Sequence, residues 1–172
     1  MRNLVLYIAN SLDNFIARET HAIDWLFPPD DFGEAFTEFQ SGIDTVLIGR
    51  KTYDVMRSFG ETHYEGKRNI VFSRTLSSDA LIEVVKGDVV SFVQSLKAEQ
   101  GKDIWLVGGG ELITLLLQAG LIDEFVFCLH PILLGKGVPM FLPHEAQTEL
   151  DLLSVLPFAN GAVLLHYRKK ST

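Results

Sequence analysis

The sequence predicts an α/β protein with helices on both faces of a mostly parallel sheet that has an antiparallel edge. Through residue 120, short apolar runs alternate with segments of helical periodicity, a pattern typical of parallel sheets. Three later apolar stretches, 123–135, 149–161 and 162–170, have no helical segment between them and indicate antiparallel strands. Because no repeat, linker or low-complexity tract interrupts the pattern, we expect one domain over residues 1–172 in three layers, αβα.

The elements follow the order βαβαββαβα before the final strands. Helix signals are clearest at Asp88, a plausible N-cap, and at Gly101 and Gly120, which are expected terminators. The predicted strands are 4–9, 45–49, 68–73, 81–85 and 103–108. The predicted helices lie within 27–42, 50–56, 88–101 and 111–120. The segment 10–25 is expected to be an irregular loop.

Composition excludes several classes of protein. The chain is 47% hydrophobic and 22% charged, which is typical of a globular protein. Its net charge is −7 and no Lys/Arg stripe stands out, so we expect neither a nucleic-acid nor a membrane partner. The single cysteine, Cys128, is expected to be buried, and neither Cys nor His spacing suggests a metal. The apolar runs are too short for a signal peptide or a membrane span, so the expected location is cytoplasmic.

Three strand ends carry residues that suit phosphate groups. Gly108, Gly109 and Gly110 follow one strand, Gly49-Arg50-Lys51-Thr52 follows another, and Ser73-Arg74-Thr75 follows a third. Backbone N–H groups at a helix N-terminus favour anions, and in parallel sheets ligands bind beyond the carboxyl ends of strands. The alternative is that the glycines form plain tight turns and the arginines are ordinary surface charges. Neither a P-loop nor a Gly-x-Gly-x-x-Gly motif is present.

These stretches, in this order, resemble the dihydrofolate reductase-like superfamily, and more closely the RibD C-terminal family, the reductase domain of riboflavin biosynthesis. The resemblance covers nearly the whole chain. It is carried by "SLDNFIA" (11–17), "DTVLIGRKTY" (44–53), "NIVFSRT" (69–75), "IWLVGGGELI" (104–113) and "LIDEFVFCLHPILLGKGVPMF" (121–141). It implies a dihydrofolate reductase-like mixed sheet, a homodimer formed through the late strands, and no metal, since the zinc-deaminase motifs are absent.

The resemblance also implies that NADPH is the cofactor. It places Ala9 and the segment Ser11–Ile16, including Ile16, along the nicotinamide. Gly49, Arg50, Lys51 and Thr52 would hold the phosphates. Ser73 and Arg74, together with Arg50, would meet the 2′-phosphate. Gly108, Gly109 and Gly110 would press against the pyrophosphate, so that the glycines let a dinucleotide lie almost on the backbone.

A candidate catalytic acid follows from the same resemblance. Dihydrofolate reductases carry Trp-x-x-Pro-x-Asp at the start of the first helix, and "WLFPPD" gives Trp25, Pro28 and Asp30 at that spacing. Asp30 is the first candidate for the acid, with helix capping as the alternative interpretation. Asp24 and Asp31 are neighbouring alternatives. Asp13 is expected to shape the loop.

Departures from the family fall on the substrate side. Asn14 replaces a loop glycine, although asparagine tolerates positive φ. Ile113, Leu129 and Lys67 stand where dihydrofolate reductases place a tyrosine, a threonine and an arginine that clamps the folate tail. Core packing is expected for Trp105, and is preferred over a place in the substrate mouth for Tyr53, Met56 and Phe59.

The expected function is therefore an NADPH-dependent reductase of the riboflavin-pathway type, like 5-amino-6-(5-phosphoribosylamino)uracil reductase. It would transfer hydride to a pyrimidine or pterin-like heterocycle. The alternatives are dihydrofolate reduction and a nucleotide-binding module without turnover.

Overall fold

A computed structural model describes residues 1–28, 32, 34–145 and 147–170. The strands are β1 (Leu4–Ser11), β2 (Phe15–Ala17), β3 (Ile43–Gly49), β4 (Arg68–Phe72), β5 (Glu83–Val85), β6 (Asp103–Gly108), β7 (Glu124–His130), β8 (Val138–Pro139), β9 (Leu150–Pro157) and β10 (Val163–Lys169). The helices are α1 (Glu34–Ser41), α2 (Arg50–Ser58), α3 (Val89–Ala98) and α4 (Gly110–Gln118). Every strand and helix that the sequence predicts is present, with boundaries shifted by a few residues.

Eight strands form one mixed sheet in the order β5-β4-β3-β6-β1-β7-β10-β9. The six strands from β5 to β7 pair in parallel. β10 is antiparallel to both β7 and β9. Only five residues join β9 to β10, which is enough for a hairpin but too few for a parallel crossover. The predicted parallel sheet with an antiparallel edge is confirmed.

The helices cover the two faces of this sheet. On one face, Leu96 of α3 and Leu116 of α4 pack against β-strand residues such as Leu106, and all three are almost completely buried. On the other face, Phe36 of α1 and Tyr53 of α2 belong to a second apolar cluster. The three-layer arrangement follows from strands that are apolar on both faces.

A small second sheet was not predicted. β2 pairs antiparallel with β8. β2 lies in the segment that was expected to be an irregular loop, and no element was predicted where β8 lies. Strands of three and two residues are too short to display a periodic pattern. The paired strands hold the chain after β1 against the chain after β7.

Capping and turn residues explain the start of α3 and two of the connecting segments. The Asp88 carboxylate accepts the backbone N–H groups of Val90 and Ser91 at 3.0 and 3.3 Å, so the predicted N-cap of α3 is confirmed. Helix α3 ends at Ala98, three residues before the predicted terminator Gly101. A Cβ at Gly101 would lie 2.6 Å from the Asp44 carboxylate, so this glycine makes room for a neighbouring side chain. Asn14 adopts a φ of 71°, as its place in the loop requires.

None of the helices in the described ranges combines the length and apolar character needed to cross a bilayer.

Candidate functional site

A cleft of about 1560 Å³ opens at the carboxyl ends of the central parallel strands. The residues that follow or end β1, β3, β4, β6 and β7 all contribute to its lining. The topology therefore brings together Ala9, Gly49, Ser73 and Gly108, which lie far apart in the sequence. This is the position at which parallel α/β sheets place their ligands.

Two helix N-termini meet in the middle of the cleft. Helix α2 begins after Gly49 and helix α4 begins after Gly109, and no described side chain caps either N-terminus. A Cβ at Gly49 would lie 3.0 Å from the Gly108 carbonyl oxygen, so the two turns touch through their backbones. The first N–H groups of a helix lack intrahelical partners and carry partial positive charge. The centre of the cleft is therefore an electropositive region.

The three consecutive glycines have separate roles. Gly108 has a φ of 134°, which only glycine adopts readily, and its peptide bond to Gly109 is cis. A Cβ at Gly110 would lie 2.4 Å from the Pro139 carbonyl oxygen, so β8 packs directly on this residue. The family resemblance implied that all three glycines admit a ligand, and the alternative was a plain tight turn. Contacts and torsions within the protein already require Gly108 and Gly110.

We call the part of the cleft beside β4 and β5 the basic end. The Arg50 guanidinium donates to the Thr75 hydroxyl at 3.0 Å and approaches the Ser73 hydroxyl at 3.4 Å. It also forms an ion pair with Asp54 at 2.8 Å, one turn further along α2. Arg74 is exposed and lines the cleft beside them. The structure thus gathers Arg50, Ser73 and Arg74, as the sequence analysis expected, and adds Thr75 and Asp54.

Lys51 and Thr52 lie between the two helix N-termini. The Lys51 ammonium forms an exposed ion pair with Glu111 at 3.1 Å, which bridges α2 and α4. A Cβ at Gly109 would lie 3.3 Å from the Thr52 hydroxyl oxygen. Glu111 thus carries a negative charge beside the electropositive centre of the cleft.

We call the opposite part the aromatic end, which is formed by Tyr7, Phe36, Tyr64 and Trp105. These side chains pack as one group, with the Trp105 ring 4.7 Å from Tyr64 and 5.6 Å from Phe36, measured between ring centroids. The Trp105 indole N–H donates to the Tyr7 carbonyl oxygen at 2.9 Å. Burial raises the pKa of Tyr64 to about 12 and raises that of Tyr7 as well, so both hydroxyls remain neutral at pH 7. A planar ring can stack against such a surface.

His130 closes this end of the cleft. Its Nδ1 donates to the Cys128 carbonyl oxygen at 3.0 Å, which leaves Nε2 to accept the Phe27 N–H at 3.2 Å. Trp25, Phe27 and Phe32 surround the ring with centroids 4.9 to 5.8 Å away. Burial lowers the pKa of His130, so the neutral ring persists. The histidine therefore ties the segment before α1 to the end of β7.

The sequence analysis did not identify His130 as a site residue. The histidines were considered there only as metal ligands, whereas the His130 ring is buried, hydrogen-bonded and part of the cleft lining. Cys128 is buried as expected, and burial raises its pKa to about 12. The preference for core packing was right for Tyr53, which is 5% exposed. Met56 packs against the second apolar cluster and also lines the cleft. The preference was wrong for Phe59, which lines the cleft and is 64% exposed.

The candidate acids differ in their positions and in the contacts of their carboxylates. Asp30 and its neighbour Asp31 lie outside the described residues. Asp24 forms an exposed bidentate pair with Arg18, which lowers its pKa, and it does not line the cleft. Asp13 accepts hydrogen bonds from the Ser11 hydroxyl and from two backbone N–H groups after β7. Asp24 thus remains an ionised surface group, and Asp13 shapes the loop.

The loop after β1 reaches the cleft at fewer positions than expected. Ala9 and Ile16 line it, whereas Ser11 is fully buried and its hydroxyl oxygen accepts the Phe15 N–H at 2.9 Å. On the substrate side, Ile113 is buried in the core. Lys67 donates to the carbonyl oxygens of Gln40 and Ile43 and lies off the cleft, so it is no counterpart of a folate-clamping arginine.

Comparisons with known proteins agree with this geometry. A family model described as the RibD C-terminal domain matches residues 2–164. The uncharacterised protein YyaP of Bacillus subtilis (strain 168) is 35% identical over 179 aligned residues, which cover 96% of this chain and 94% of YyaP.

Two solved structures share the architecture. A Shewanella sp. PV-4 protein provisionally assigned to riboflavin biosynthesis has a TM-score of 0.85 at 30% identity, covering 99% of this chain and 100% of that protein. Dihydrofolate reductase from Enterococcus faecalis, complexed with NADP(H), has a TM-score of 0.73 at 14% identity, covering 98% and 97%. At this identity, the similarity to the dihydrofolate reductase is a similarity of fold alone. The chain belongs to the RibD C-terminal domain family and has the dihydrofolate reductase-like fold.

Proposed function

We propose that the protein is an NADPH-dependent reductase of the riboflavin-pathway type that reduces a pyrimidine or pterin-like heterocycle. One observation carries the proposal. A single cleft contains both a set of groups that can donate hydrogen bonds to phosphates and a neutral aromatic surface. A reductase of this type must hold both a dinucleotide and a planar ring, with their reacting atoms side by side.

The donors in the cleft fit the phosphates of NADPH. Two uncapped helix N-termini at Gly49 and Gly109 suit a pyrophosphate. Arg50 and Arg74, beside the Ser73 and Thr75 hydroxyls, suit a further phosphate such as the 2′-phosphate. Ala9 and Ile16 offer apolar surface for the nicotinamide.

NADPH supplies a hydride when bound, and the residues of the chain orient the substrate and deliver a proton. The aromatic end would stack the planar ring and exclude water from it. The Asp30 carboxyl would hold the proton that the reduced ring requires. His130 would fix the backbone of Phe27, three residues before Asp30, through its Nε2.

A cofactor titration tests the proposal directly. The protein is titrated with NADPH and with NADH while tryptophan fluorescence and cofactor emission are followed. We expect NADPH to bind about tenfold or more tightly than NADH, since a 2′-phosphate adds charge-assisted hydrogen bonds. The Arg50→Ala/Arg74→Ala double variant should lose this preference, and Arg57→Ala, an exposed arginine of α2 off the cleft, should keep it. Equal affinity of the native protein for both cofactors would refute the proposal.

The role of Asp30 is tested by turnover. Asp30→Asn should lower kcat for reduction of the heterocycle by about 10²-fold or more, as expected for loss of a proton donor. NADPH affinity should stay unchanged, which separates catalysis from folding. Asp31→Asn is the matched control, and a larger loss in that variant would transfer the role to Asp31.

We also propose a homodimer that forms through β9. This strand lies at the edge of the sheet, and its side chains Leu152, Leu153, Val155 and Leu156 are 41 to 54% exposed. An exposed apolar edge strand pairs readily with a second copy. Light scattering should give twice the monomer mass for the native chain and the monomer mass for Val155→Lys. A native chain that is monomeric at micromolar concentration would contradict this assignment.

A further inference from the structure

The positive charges are distributed unevenly along the cleft. All fifteen lysine and arginine residues lie in the described part of the chain. Arg50, Lys51, Arg74 and Lys86 are the ones that line the cleft. Arg50 contacts the residues after β4, Lys51 contacts Glu111 of α4, and Arg74 and Lys86 follow β4 and β5. Each of them thus lies at the basic end or at the centre.

The segments that border the aromatic end have basic residues, but these are engaged elsewhere. Lys67 donates to two backbone carbonyls near the end of α1. Arg18 pairs with Asp24, and Lys136 pairs with Glu19. Arg57 lies in the last turn of α2 and does not line the cleft.

The charge present at the aromatic end is negative. Glu61 lines the cleft next to Tyr64 and raises the pKa of that tyrosine further. Three other titratable residues that line the cleft, Tyr7, Cys128 and His130, are neutral at pH 7, and burial favours the neutral form of each. Glu19 adds a further carboxylate to the lining, and His21 and His63 add imidazoles.

An anionic substituent is therefore disfavoured at this end. A phosphate or carboxylate moved there loses water without gaining a lysine or arginine partner, and it meets the carboxylate of Glu61. Neutral and polyhydroxylated groups meet no such penalty. The contrast matters because 5-amino-6-(5-phosphoribosylamino)uracil carries a phosphate and dihydrofolate carries a glutamate tail.

We propose that the aromatic end takes a planar heterocycle whose substituent has neither a phosphate nor a carboxylate, such as a free base, a nucleoside or a polyol derivative. This inference rests on the proposed reductase function and narrows its substrate class. It predicts that the chain prefers the uncharged member of any pair of substrates that share a ring.

Two matched pairs test the inference. The first is 5-amino-6-(ribosylamino)uracil against its 5′-phosphate, and the second is dihydrobiopterin against dihydrofolate. Binding is measured by quenching of Trp25 and Trp105 fluorescence, and turnover by NADPH oxidation. The uncharged member should bind about tenfold or more tightly in at least one pair, with a difference that shrinks as salt is added.

The outcomes separate the two proposals. Tighter binding of the phosphorylated or glutamylated member in both pairs, with NADPH oxidation, would overturn the inference and leave the reductase function standing. Failure of all four compounds to bind, with NADPH still bound, would overturn the inference together with the proposed substrate class.

A charge reversal provides a second test. Glu61→Lys should shift the preference toward the phosphorylated member by about tenfold, because it places a cation at the rim of the aromatic end. Glu65→Lys, an exposed residue of the same segment that does not line the cleft, is the control and should leave the preference unchanged. Equal effects of the two substitutions would show that the preference comes from overall charge, and would overturn the assignment to this end of the cleft.

Discussion

At its basic end the cleft is lined by the residues that come directly after β3, β4 and β5, whereas its aromatic end is lined by side chains that come from distant parts of the chain. Arg50, Ser73 and Arg74 each belong to a motif of three or four residues at a strand end. Tyr7 and Trp105, by contrast, are 98 residues apart and meet because β1 and β6 are neighbours in the sheet. The first kind of site is encoded locally and the second by packing, so the two ends can diverge independently.

The largest effect is expected at the junction between the two ends. Gly110→Ala would place a Cβ 2.4 Å from the Pro139 carbonyl oxygen, and the backbone there must move. We expect a loss of about 1–3 kcal/mol in the free energy of unfolding, measured by chemical denaturation. Gly87→Ala, which meets no atom within 4 Å, should change stability by less than about 0.5 kcal/mol. Equal stability of the two variants would mean that Gly110 is kept for a ligand instead of the fold.

A smaller effect is expected at the aromatic end, where His130 is buried in its neutral form. Its pKa in the folded protein lies below the ordinary 6.5, so the unfolded chain binds the proton more readily. The contribution of His130 to the free energy of unfolding is fully present above pH 6.5. It decreases as the pH falls below 6.5, by at most about 1.4 kcal/mol per pH unit. Denaturation of the native protein and of His130→Gln between pH 7 and pH 5 measures the difference.

The variant should be less stable at pH 7 but should depend less steeply on pH. His144→Gln, which alters an exposed histidine, should keep the native pH dependence. If the free energy of unfolding of His130→Gln depended on pH as steeply as that of the native protein, the acid sensitivity would come from other groups.

The smallest effect is expected at the basic end. Asp54 neutralises Arg50 through an exposed ion pair, and such pairs contribute about 0.2–1 kcal/mol. Asp54→Asn should therefore tighten the binding of 2′,5′-ADP by about two- to fivefold, as measured by calorimetry. Asp151→Asn, on the distant strand β9, should have no effect. Weaker binding in Asp54→Asn would show that the carboxylate orients Arg50 and does not compete for it.

The same contrast explains what could be predicted from the sequence. Alternating apolar runs predicted the sheet, its helices and its antiparallel edge, because each pattern covers many residues. The motifs at Gly49, Ser73 and Gly108 predicted that three strand ends would share one cleft, since parallel strands end at the same edge. Residues of the aromatic end carry no such signal, because Tyr7 and Trp105 resemble any other residue of a buried strand.

Local signals were also misleading where they had more than one cause. From the sequence, Gly110 was expected to make room for a ligand, although the Pro139 backbone already occupies the space beside it. Phe59 was expected in the core because it is apolar, although it directly follows α2 as its C-cap and lines the cleft. His130 is followed by Pro131 at the end of a strand, and that position was the available hint of its place at the ligand edge of the sheet.

The ion pair between Lys51 and Glu111 has a consequence for the resting protein. The N-termini of α2 and α4 lie close together at the same edge of the sheet and carry like partial positive charges, which repel each other. Glu111 sits in the first turn of α4, where a carboxylate is favoured by the helix dipole, and its ion pair neutralises the Lys51 ammonium in the first turn of α2. The fold thus carries its own counter-ion, and the cleft can keep its shape before any anion arrives.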